Sequence, residues 1–103
     1  MAEPMRIRVT MQGDKALVRV LMSHEMESGQ RKDLDGKTVP AHFIQTVTVT
    51  LNDRPVLSAQ WGPAVAKNPY LQFGVGGARQ GDKVRVTWTD NKGDRRTDEA
   101  AIS

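Results

Sequence analysis

Apolar residues recur along this chain at every second position and seldom at the three- and four-residue spacing of a helix. Met5–Met11 puts Ile7, Val9 and Met11 on one face and Arg6, Arg8 and Thr10 on the other, the period of a half-buried strand. A Gly13-Asp14 turn signal leads into Lys15–Met22. Phe43–Leu51 sets Val47, Val49 and Leu51 against Thr46, Thr48 and Thr50. Asn52 through Pro55 is turn chemistry ahead of a strand over Val56–Trp61. Pro69–Val75 places Leu71, Phe73 and Val75 on one side. After Gln80–Asp82 the chain enters Lys83–Thr89, where Val84, Val86 and Trp88 oppose Lys83, Arg85, Thr87 and Thr89. Asp90–Asp94 reads as a hairpin loop before a weaker last strand over Arg96–Ile102.

Seven short strands with one apolar face each predict an all-β fold of two antiparallel sheets packed face to face. The 103 residues suffice for one core, so residues 1–103 are read as a single β-sandwich domain. Its expected interior is Val18, Val20, Val47, Val49, Leu71, Phe73, Val84, Val86 and Trp88. Two stretches interrupt the pattern: His24–Lys37, a crossing loop with at most a turn of helix, and Gly62–Asn68. The second strand also breaks the one-face rule. With Val18, Val20 and Met22 inward, Leu17 and Leu21 point outward and flank Arg19. Either the chain's own loop covers them or they face a partner.

Charge alters this picture little. Charged residues make up 26% of the chain and the net charge is +3, which is neither a disordered nor a polycationic composition. A pI of 9.6 invites a polyanion. However, acids are interleaved with the bases: Asp33 follows Arg31-Lys32, Arg54 follows Asp53, and Arg95-Arg96 lies between Asp94 and Asp98. Aromatics are 5% and none lies inside a basic cluster, which argues against nucleic acid. No apolar run approaches the roughly 18 residues of a membrane-spanning helix. The start, MAEPMRIRVTM, has no apolar signal region, as expected of a cytosolic chain, of one whose signal has been trimmed, or of one exported with a signal-bearing partner.

Candidate chemistry is sparse. With no cysteine there is no disulfide, zinc-thiolate site, iron–sulfur cluster or cysteine nucleophile. Gly36-Lys37-Thr38 resembles the end of a phosphate loop, but Arg31 stands where that loop needs its first glycine. Asp33-Leu34-Asp35-Gly36 lacks the remaining ligands of a calcium loop. No serine has a nucleophile-elbow context, and no enzyme signature emerges. Met22, His24 and Met26, if extended, would share a face and offer soft ligands to Cu(I), with His42 a possible addition. The plainer alternative is a core methionine beside an ordinary hydrogen-bonding histidine.

Several stretches taken together resemble one family. His24-Glu25-Met26-Glu27-Ser28-Gly29-Gln30-Arg31-Lys32-Asp33, then Pro40-Ala41-His42-Phe43-Ile44, Asn68-Pro69-Tyr70-Leu71 and Thr87-Trp88-Thr89-Asp90 look like the Z subunit of the sulfur-oxidation (Sox) YZ carrier. The likeness spans nearly the whole chain; Glu25 departs from it, since proline usually follows that histidine. The resemblance implies an immunoglobulin-like sandwich and no cofactor. It also implies a periplasmic heterodimer with a Y subunit, whose cysteine-bearing arm holds sulfur covalently and presents it to the oxidising enzymes of the pathway. A chain without thiols would then be a non-catalytic subunit, exported with its partner and scaffolding it. The expected partner surface is the second strand and the following loop: Leu17, Leu21, His24, Met26, Arg31, Lys32, His42 and Phe43. The competing reading is a free-standing Cu(I)-binding sandwich using Met22, His24 and Met26.

Overall fold

The computed structural model describes residues 3–102. Seven strands form in chain order: β1 Arg6–Gln12, β2 Lys15–Leu21, β3 Ile44–Leu51, β4 Arg54–Gln60, β5 Tyr70–Gly76, β6 Lys83–Asp90 and β7 Arg95–Ala101. They make a three-stranded sheet, β1-β2-β5, and a four-stranded sheet, β4-β3-β6-β7, with every neighbouring pair antiparallel. This is the expected immunoglobulin-like sandwich, with the fourth strand joining the larger sheet beside β3. Each strand was predicted, with ends displaced by at most two residues. The largest displacement is β4, which begins at Arg54 and takes in Pro55. Proline fits there because β4 is an edge strand and because the ladder skips Val56, so that Val49 faces Leu57 and Thr50 faces Pro55.

Alternation builds the interior. Val18, Val20, Val47, Val49, Val84, Val86 and Trp88 are buried, joined by Met22 and Ile44. Each buried valine contributes on the order of 1.5–3 kcal/mol relative to an exposed one. Leu71 and Phe73, expected inside, are only half-buried. They lie on β5, which has one neighbour and forms a rim of the smaller sheet. No helix forms in the crossing loop. Two β-bridges, Glu27 to His42 and Lys32 to Thr38, fold it back on itself. Among the described residues no helix is long and apolar enough to cross a membrane.

Candidate functional site

Three strand faces continue past their ends and meet. The inward face of β2, Val18 and Val20, runs on through Met22 to His24. That of β6, Val84, Val86 and Trp88, ends on Asp90. Ile44, the first residue of β3, is preceded at the same alternation by His42. A bulge between Ile44 and Thr46 sets Ile44 opposite Asp90. The three side chains therefore converge at one end of the sandwich.

Asp90 is the centre. Its Oδ2 lies 3.0 Å from His24 Nε2 and 2.7 Å from His42 Nε2. Its Oδ1 accepts from the amides of Lys92 at 3.0 Å and Asp94 at 2.9 Å, which fixes the β6–β7 turn. The side chain has no exposed surface. Burial pushes its carboxyl up, yet the hydrogen bonds from His24, His42 and the two amides outweigh that and hold it below the ordinary aspartate value. The His24 ring packs edge-on against Trp88, with centroids 5.0 Å apart, and lies 4.5 Å from that of His42.

The proton on His24 can be placed. The Met26 amide donates to Nδ1 at 3.0 Å, so Nδ1 carries no hydrogen and Nε2 carries the one it donates to Asp90. Both ring nitrogens are thereby occupied. The Met26 sulfur is occupied too, accepting from the Ile44 amide at 3.3 Å. Met22 is fully buried. The soft ligand set of Met22, His24 and Met26 is thus not free to receive Cu(I). His24, His42 and Asp90 offer ligand atoms within 4.8 Å of one another, close enough for a divalent ion. Protonation opposes this as well. A metal-bound imidazole keeps its other N–H and donates it outward, whereas Nδ1 of His24 faces a donor. Ser23 does not make a catalytic triad with the cluster, because its hydroxyl bonds Glu3 at 3.0 Å. The cluster is a structural clasp.

The other family-like stretches gather around it. Asn68 exchanges hydrogen bonds with the His24 backbone, and Met22 donates to the Pro69 carbonyl. Asn91 brackets the approach to β3, accepting from the Phe43 amide and donating to the Ala41 carbonyl. Glu27 and His42 exchange backbone hydrogen bonds in both directions. Asp33 closes its own turn, its Oδ1 accepting from the Asp35 and Lys37 amides. A cleft of 360 Å³ opens beside the clasp, lined by His24, His42, Ser23, Glu25, Lys67 and Asp94 among others.

The residues expected on one partner surface separate into three groups. Leu17 is half-buried and Leu21 exposed, both on the outer face of the smaller sheet. Arg31 and Lys32 are exposed on the folded loop, where Arg31 grips Glu27 through Nε at 3.0 Å and depresses its pKa by that hydrogen bond. His24 and Met26 are buried, so neither offers its side chain to a partner. His42 and Phe43 are half-buried beside the clasp. Asp90 and Asn68 were not among the expected site residues. Extending the two-residue period of β6 by one step would have pointed to Asp90.

The fold and this end define a cysteine-free, immunoglobulin-like sandwich, closed by hydrogen bonds that converge on one carboxylate. More particularly, the chain belongs to the family described as sulphur oxidation protein SoxZ, which matches residues 5–101, and is a subunit of the Sox sulfur-oxidation system. Comparison with curated proteins gives no match.

Proposed function

We propose that the chain is the non-catalytic subunit of a periplasmic sulfur-carrier heterodimer in thiosulfate oxidation. It is exported with its partner and scaffolds a Y-type subunit, whose cysteine arm carries the sulfur intermediates to the pathway enzymes. The observation that carries this reading is a sulfur-oxidation family member with no cysteine in 103 residues. A persulfide or thiosulfonate adduct needs a thiolate, and thioethers do not supply one. The covalent sulfur must therefore ride on another chain. The clasp supports the same division of labour, since its histidines are engaged in holding the fold.

Affinity capture from a periplasmic extract, followed by mass spectrometry, tests this. The expected result is a cysteine-bearing chain recovered in equal amount with this one. A chain recovered alone from the periplasm, or found only in the cytoplasm, refutes the reading.

A further inference from the structure

The larger sheet neutralises two of its four arginines, Arg85 on its outer face and Arg96 on the inward side of β7, while Arg54 and Arg95 have no ion pair among the described residues. Arg85 reaches Asp53 at 2.9 Å and Glu99 at 3.3 Å, and Arg96 holds Asp98 at 2.8 Å. The smaller sheet has nothing comparable. Strands β1, β2 and β5 contain no Asp or Glu, and their charged residues, Arg6, Arg8, Lys15 and Arg19, are all cations. Ala16, Val18 and Val20 take the inward positions of β2, so alternation places these cations on the outer face, where all four are exposed. Among the described residues none of the four is ion-paired.

Register concentrates the effect. Arg8 lies directly opposite Arg19, and Arg6 opposite Leu21, whose other neighbour is Tyr70. Like charges directly across a ladder destabilise it. Leu21 is 41% and Tyr70 56% exposed, large apolar surface beside unneutralised guanidiniums. These five residues line one groove of 260 Å³. The interleaved signs of the linear sequence conceal this face, because the pleat sorts β1 and β2 into an apolar side and a basic side.

We infer that the outer face of the smaller sheet docks the acidic surface of a partner protein, with Leu21 and Tyr70 against its apolar centre and Arg6, Arg8 and Arg19 paired with its carboxylates. Arginine and tyrosine around an apolar centre are the residues in which protein interfaces are enriched. Guanidinium also meets carboxylate through two parallel hydrogen bonds. Four cations neutralise few phosphates, and Tyr70 is the one outward aromatic on these strands that could stack a base, so a protein surface fits this face better than a nucleic-acid strand. Naming the occupant as the cysteine-bearing subunit rests on the function proposed above.

The test measures affinity of the full chain for that purified subunit at two salt concentrations. The proteins are wild type, Arg8→Glu/Arg19→Glu, the milder Arg8→Gln/Arg19→Gln, and Arg54→Glu/Arg95→Glu on the larger sheet as a charge-matched control. Expected is a loss of more than tenfold for the double reversal, a smaller loss for the glutamine pair, and less than twofold for the control. Wild-type binding should weaken with salt and the reversed variant's should hardly change, with thermal midpoints of the glutamine pair kept or raised. Undiminished binding by folded double variants overturns the docking face while leaving the heterodimer intact. No binding by wild type overturns both. A single-stranded oligonucleotide that binds as tightly, and is lost in the same variants, overturns the assignment to a protein partner.

Discussion

Asp90 accepts four hydrogen bonds through two oxygens, and its neighbours have few substitutes for it. Asp90→Asn keeps the shape but gives up the charge and turns an N–H toward one of its donors. Leaving a buried donor unpaired costs about 1–3 kcal/mol, so the thermal midpoint of Asp90→Asn should fall clearly while Asp35→Asn, on the exposed turn, stays near wild type. The pH response follows from the same carboxylate. Its folded-state pKa lies below the ordinary value, so acidification protonates it first in the unfolded chain. The stabilisation is complete above the ordinary carboxylate range and drains as pH falls through that range toward the lower folded value. Asp98, held low by Arg96, adds in the same direction. Midpoints measured across that acid range should decline in wild type and decline less steeply in Asp90→Asn, where Asp98 remains; parallel curves would show that Asp90 contributes no linkage. At this scale the sequence was least legible. Asp90 sits at a hairpin, where aspartate is ordinary, and only the meeting of three separate strand ends gives it its partners.

Strands were far more legible, because one buried face per strand imposes a period that survives without any partner in view. What periodicity could not convey is depth. Leu71 and Val86 show the same alternation, yet one lies on a rim strand and the other is fully enclosed. Met22→Ala, at a fully buried site, should cost about 2–5 kcal/mol, and Leu71→Ala distinctly less, as read from denaturant midpoints. Equal losses would mean that β5 is packed more deeply than its exposure indicates. The crossing loop illustrates another gap. Its fold depends on Gly29 at φ 86°, where an added Cβ would meet that of Ala41 at 3.2 Å. Gly29→Ala should therefore destabilise by more than Gly36→Ala, which shares the positive φ but has open space around it.

At the scale of the molecule, chemistry was legible chiefly through absence. Incubated alone with thiosulfate or sulfide, the chain should gain no mass that survives desalting, since it holds no thiol. A sulfur or sulfite increment mapped to this chain by intact-mass and peptide spectrometry would refute the proposed division of labour. The proposed docking face was only half legible: the alternation placed Leu17 and Leu21 outward, as they are, but the basic character of that face emerges only when β1 is laid beside β2.

A β-sandwich of this kind is often fastened across its sheets by a disulfide, and here two imidazoles on a carboxylate hold one end. Sulfide, sulfite and persulfides attack disulfides by exchange, so a covalent fastening would be consumed by the very compounds a sulfur-oxidising system handles. Hydrogen bonds offer such nucleophiles nothing to displace. This fastening is therefore inert to reductant, and on the proposed function it leaves no cysteine on this chain to compete with the partner's thiol.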